Sequence, residues 1–232
     1  MQHTIEYGPA YAWLRVQLAP GETIQAEAGA MVTQSPNLNM ETRLNAGRKA
    51  GFFRKIQAFF VALMRKVFGG ETVFINEFSG PNGGELVLAP SLSGQIIHRR
   101  MSSSMPLLVQ GGSYLASAGQ VDTKLRFAGL RGLLGGEGLF FLESSGDGDL
   151  FINAYGGIVE VECNGSYVVD TGHIVAFDAS LDFKIKGAGS GLKSLFLSGE
   201  GLVMHFSGKG TIYLQSRNVG ALVGWISPFL RG

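Results

Sequence analysis

The chain has 232 residues, 45% of them hydrophobic and 16% charged, with a formal net charge of +1. That is enough apolar material for a sizeable core, which excludes a disordered chain, and too little net charge to attract nucleic acid by field alone. Glycine stands out at 35 residues, and without a G-X-Y period such a share marks many tight turns.

The opening stretch, MQHTIEYGPAYAWLRV, has no basic region followed by an apolar run, so no secretory signal is expected. The single cysteine, Cys163, excludes an internal disulfide framework and suits a reducing compartment. No stretch reaches about 18 uncharged apolar residues, so no spanning helix is predicted. The expected location is cytoplasmic, at most peripheral at a membrane.

Gly21–Thr33, GETIQAEAGAMVT, reads as a strand that turns at Gly29. The next distinct segment, Arg48–Gly70, holds no turn residues between Phe52 and Phe68 and is rich in helix formers. On a helical wheel Phe52, Ile56, Phe59, Phe60, Leu63 and Val67 fall within an arc of roughly 100°, as an amphipathic helix requires. Arg54, Lys55, Arg65 and Lys66 lie outside that arc. With Arg48 and Lys49 the segment carries six of the 19 basic residues and no acidic one, which leaves 13 basic against 18 acidic residues elsewhere. The positive charge is therefore concentrated here. Three roles stand open for this helix: packing its apolar stripe over the β-core, meeting a partner or subunit, or lying in a membrane interface with Lys and Arg on anionic head groups. Only nine residues separate Lys55 from Arg65, too few to span a bilayer. One short basic helix offers few phosphate contacts, so nucleic acid is a poor partner for it.

Beyond it, three stretches share one pattern. GETVFINEFSGPNGGELVLA begins at Gly70, GEGLFFLESSGDGDLFIN at Gly136 and GEGLVMHFSGKGTIYLQ at Gly199. Each reads as an apolar strand, a glycine-rich turn around Gly80, Gly146 or Gly208, and a second strand, the signature of a β-hairpin. Strands with a glycine corner also recur, at Gly119 within Gly112–Thr123 and at Gly172 within Gly165–Phe177. The predicted fold is all-β: three internally repeated units, β-sandwich or double-stranded β-helix-like, in a pseudo-threefold arrangement within one domain. The repeats fall at roughly 1–100, 101–160 and 161–220, with the helical insertion at 48–68. The apolar tail at 220–232 is expected to dock on the core, with Trp225, Phe229 and Leu230 available to a contact surface.

The glycines do not make nucleotide or calcium loops. GEGLFF lacks the third glycine and the helix of a dinucleotide fingerprint, and GAGSGLKS has Leu192 where a phosphate loop needs glycine before the lysine. GDGD is too short and too poor in ligands for calcium. His3, His98, His173 and His205 form no metal-binding spacing, there is no G-x-S-x-G elbow, and Cys163 has no basic neighbour to activate it. Threefold symmetry would bring Glu71, Glu137 and Glu200 near one axis, although a Glu opening a hairpin is ordinarily solvated. No catalytic residue, metal or cofactor is assigned, and the chain is read as non-enzymatic.

The segments AEAGAMV, GGETVFINEF with LAPSLSGQI, YLAS, VVDTGHIVAF, GGEGLFF and SGEGLVMHFSGKGTIYLQSR together resemble bacterial relatives of the "altered inheritance of mitochondria" family, from about Thr4 to Arg217. The resemblance implies a fold like the subunit of the tryptophan-RNA-binding attenuation protein, repeated within one chain. Mitochondrial members are linked to inner-membrane organisation, which implies a membrane-proximal role. Fold alone carries no function, and the repeated strands show no basic-aromatic stripe for RNA. The expectation is a self-associating scaffold that meets a membrane surface or a protein partner through the inserted helix. A pocket between repeats, lined by His173, His205 or Glu and either binding a small molecule or carrying out catalysis, is the alternative, and RNA binding by an oligomeric ring a weaker one.

Overall fold

The computed structural model describes residues 1–44, 74–127, 140–188 and 201–230. These residues are predominantly β, as the composition and glycine pattern predict. The first third holds β1 (Gln2–Glu6), β2 (Trp13–Leu18), β3 (Thr23–Glu27), β4 (Met31–Gln34), β5 (Asn39–Leu44), β6 (Phe74–Ser79) and β7 (Gly84–Leu88). The middle holds β8 (Ile96–Met101), β9 (Leu107–Gln110), β10 (Tyr114–Phe127) and β11 (Phe140–Asn153). The last third holds β12 (Ile158–Asp170), β13 (Ile174–Asp178), β14 (Asp182–Gly187) and β15 (Leu202–Gln215), followed by the helix α1 (Val219–Leu230). Short 3-10 turns at Gly111–Ser113 and Thr171–His173 lead into β10 and β13.

The strands form a four-stranded antiparallel sheet, β1-β2-β7-β4, and an 11-stranded one. The main path of the larger sheet runs β12-β15-β13-β9-β11-β10-β3-β6-β5, with β14 added on β15 and β8 on β11. Alternation of apolar and polar residues explains why single strands sit where they do. In β2, Leu14, Val16 and Leu18 are buried while Arg15 and Gln17 turn outward, the period of two that one covered face demands.

The expected hairpins at the repeated glycines are not formed. β11 and β15 run as single 14-residue strands through Gly146 and Gly208, and the Gly80–Gly83 turn carries the chain from β6 in one sheet to β7 in the other. The reason is conformational. A two-residue hairpin turn needs special dihedrals at adjacent central residues, whereas a lone glycine at positive φ bends a strand without reversing it. Gly146 has φ +111° and Gly208 φ +115°. The partner strands bend with them: Gly208 faces Gly165, and Gly148 faces Gly119. Gly29, at φ +96°, does turn the chain between β3 and β4, while Gly119 sits inside β10 and Gly172 inside a 3-10 turn.

Three apolar clusters fill the space between the bent ladders. One gathers Leu14, Val16, Ile24, Phe78, Leu86 and Leu115, and another Leu107, Val109, Leu142, Leu150, Val175 and Tyr213. The third is built on Phe141, Phe177, Met204, Phe206 and Ile212. Each is drawn mainly from one third of the chain and completed by a few side chains of another: Leu115 and Phe151 in the first, Val175 and Tyr213 in the second, Phe141 in the third.

Candidate functional site

All ten residues assigned to the contact helix from sequence (Phe52, Arg54, Lys55, Ile56, Phe59, Phe60, Leu63, Arg65, Lys66 and Val67) lie outside the described residues, as do Glu71, Glu137 and Glu200. The remaining chemistry-bearing side chains fall into two groups.

The first is polar. His3 on β1 lies against His98 on β8, with ring centroids 4.4 Å apart, and both rest on the ring of Phe151. His98 Nε2 is 2.8 Å from Asp149 Oδ1, and Arg100 Nη1 donates to both Asp149 oxygens at 3.0 Å. Ladder register makes this possible, since Phe151 stands opposite His98 and Asp149 opposite Arg100. Burial by itself would raise the Asp149 pKa, but the hydrogen bonds from His98 and Arg100 outweigh it and hold the carboxyl below its ordinary value. Burial, and then the neighbouring His98, push His3 below the usual imidazole range. The arrangement clamps β1 onto the β8–β11 ladder. Both shifts are depressions, so both groups favour the fold above their unfolded pKa values and withdraw that support as pH falls, His3 below about 6.5 and Asp149 below about 3.8. Unfolding free energy is expected to fall on acidification from pH 7 to pH 5. His3→Gln should flatten that limb in urea titrations, and an unchanged slope would remove the linkage from His3.

His173 and His205 do not build a second centre. His173 Nδ1 pairs with the Gln215 carbonyl at 2.7 Å, and Gln215 Nε2 returns a bond to the Gly172 carbonyl at 2.9 Å, which fixes the 3-10 turn against β15. His205 stands in the β15 ladder between Val168 and Lys184. Cys163 is buried near the Gly208 carbonyl, a sheet residue as its surroundings in sequence suggest. No cluster of three or more metal-ligating side chains occurs among the described residues.

The second group is apolar, and the tail behaves differently from expectation. α1 does not dock on the core: none of its residues is buried. Asn218 caps it, its Oδ1 accepting from Ala221 N at 3.2 Å. On the helical wheel Val219, Leu222, Val223, Trp225, Ile226, Phe229 and Leu230 share one side, while Gly220, Gly224, Ser227 and Pro228 take the other. Trp225 is 68% exposed and Phe229 75%, and their rings touch at i, i+4 with centroids 5.8 Å apart. The segment has no charged residue to solvate it. No helix among the described residues is long and apolar enough to cross a membrane.

The profile of the family described as mitochondrial biogenesis AIM24 matches residues 3–217, nearly the whole chain. The chain belongs to the AIM24 family. An uncharacterized protein of Streptococcus pyogenes serotype M6, M6_Spy0233, is 29% identical over 233 residues, covering 99% of this chain and 91% of the relative. The crystal structure of SPYM3_0169, also from Streptococcus pyogenes, superimposes with a TM-score of 0.81 at 28% identity over 99% of both chains. The AIM24 match ends at residue 217, so α1 lies just beyond the part that defines the family.

Proposed function

We propose that this AIM24-family protein is a non-enzymatic scaffold of three β-units that self-associates and lies at a membrane surface. The observation that carries the membrane part is α1, a helix with no charge and with Trp225, Phe229 and Leu230 held out in water. Contiguous exposed apolar surface of this kind marks a contact site. A chain of 12 residues is too short to span, and Trp with Phe at its end suits the head-group boundary. The basic segment 48–68 adds six positive charges for anionic head groups. The three-unit reading is supported by strands bent at glycine and by matching ladder bulges, at Met31/Thr33, Tyr114/Ala116 and Ile174/Ala176.

Flotation with vesicles tests it. The full chain should float with vesicles rich in anionic lipid. Trp225→Ser/Phe229→Ser should weaken partitioning by at least about tenfold, since two large apolar side chains leave the interface, without moving the unfolding temperature. Equal flotation of both forms, or none by either, would end the membrane assignment for α1.

A further inference from the structure

Two seams inside the chain join strands that are remote in sequence. β3 pairs with β10, Ala26 opposite Ala116, Gln25 opposite Ser117 and Ile24 opposite Ala118. β9 pairs with β13 in the same pattern, Val109 opposite Ala176, Leu108 opposite Phe177 and Leu107 opposite Asp178. In each seam one strand enters just past a bulge, between Tyr114 and Ala116 or between Ile174 and Ala176. The extra residue of the bulge, Leu115 or Val175, is fully buried.

β4 has the same bulge, between Met31 and Thr33 against β7. Yet it ends the four-stranded sheet, and no strand among the described residues pairs with its outer side. Val32, in the place of Leu115 and Val175, is 50% exposed. The complementary edge is the second half of β12, which ends the 11-stranded sheet. Val169 stands opposite Met204 there, as Val109 stands opposite Leu142 and Ala26 opposite Asn76. Val168 is 52% exposed and Tyr167 38%, although Ile24 and Leu107, the counterparts of Tyr167, are buried.

The chemistry of these two edges sets them apart. The other outer strands carry charge that opposes edge pairing: Glu6 on β1, Glu41 and Arg43 on β5, Arg99 and Arg100 on β8, Glu160 and Glu162 on the first half of β12, Lys184 and Lys186 on β14. Met31–Gln34 and Tyr167–Val169 hold neither charge nor proline. Among the described residues they are a matched pair of unprotected edges.

We propose that β4 of one copy pairs antiparallel with Tyr167–Val169 of a second copy, Thr33 opposite Val169, Gln34 opposite Val168 and Ser35 opposite Tyr167. The contact repeats the seams within the chain and covers Val32, Val168 and Tyr167. It joins unlike surfaces, so each copy keeps one edge for the next and the copies line up head to tail. The inference rests on the self-association in the function proposed above and supplies its surface and register.

Copies carrying Gln34→Cys are mixed with copies carrying Val168→Cys, both on a Cys163→Ala background, and oxidised mildly. Residues opposite one another in an antiparallel pair have Cα atoms about 4.5–5.5 Å apart, which a disulfide accepts. The mixture should give a covalent dimer of one variant with the other, and neither variant alone should. In parallel, light scattering should find the unsubstituted chain assembled. Val32→Lys/Val168→Lys should be at least about tenfold weaker in association, because the change at Val32 puts an unpaired charge where Leu115 and Val175 are buried, and the change at Val168 puts charge on the pairing edge. Assembly that survives the lysines, with no mixed disulfide, overturns the edges and leaves self-association standing. A monomer at every concentration overturns both. An internal disulfide in a monomeric chain bearing both cysteines overturns the proposal in favour of closure within one copy.

Discussion

Gly146→Ala is expected to lower the unfolding free energy by about 4 kcal/mol or more, while Gly165→Ala lowers it by about 1–2 kcal/mol. The two glycines have nearly the same backbone, φ +111° and φ +114°, so the conformational penalty of a Cβ is shared. Space separates them. A Cβ on Gly165 would meet nothing within 4 Å, whereas one on Gly146 would run into the carbonyl oxygen of Gln120 across the ladder. That oxygen is backbone in β10, which pairs with β11 along its whole length, so it cannot swing aside as a side chain would. β11 also carries β8 and β9 on its other side, so a shift of its own backbone would disturb three pairings. Urea unfolding reads the difference directly, provided the dependence on denaturant stays constant between variants. Similar losses at both positions would mean that the bend at Gly146 is softer than the ladder implies.

This contrast also shows what the sequence could and could not convey. Glycine spacing made the bends legible, since Gly146 and Gly208 recur at one offset among β-rich residues. A bend and a reversal use the same residue, however, and only the partner across the ladder decides which is formed. The long strands hid for that reason. The apolar character of Val219–Leu230 was equally plain, but whether a neighbour covers it depends on the surface beneath, which no local pattern encodes. His98 and Asp149 lie 51 positions apart and meet only because β8 and β11 are in register. The open edges were the least legible feature. Thr33 and Val169 look like ordinary strand residues until their counterparts, Ala116 with Ala26 and Ala176 with Val109, are found paired.

Phe177→Ala should lower stability by about 3–5 kcal/mol, and Phe177→Leu by about 1 kcal/mol. Phe177 is wholly buried, and its ring meets Phe141, Phe183 and Phe206 at centroid distances of 5.1, 5.2 and 5.0 Å in near-perpendicular contacts. Such edge-to-face pairs add to the area term, and alanine loses both while leaving a void among three rings. Leucine keeps most of the volume and loses the ring contacts, so the gap between the two variants measures the void. The position matters beyond its own cluster. The Phe177 backbone pairs with Ile212 on one side and Leu108 on the other, so it sits at the seam between β13 and β9. A void there loosens the joint between the middle and last thirds of the chain. The third apolar cluster includes Val169, a residue of the proposed assembly edge. Phe177→Ala should therefore weaken association between copies as well as stability, whereas Leu150→Ala, which opens a void in the second cluster, should also lose stability but leave both β4 and Tyr167–Val169 intact. Equal weakening of association by both would tie assembly to global stability rather than to the edge.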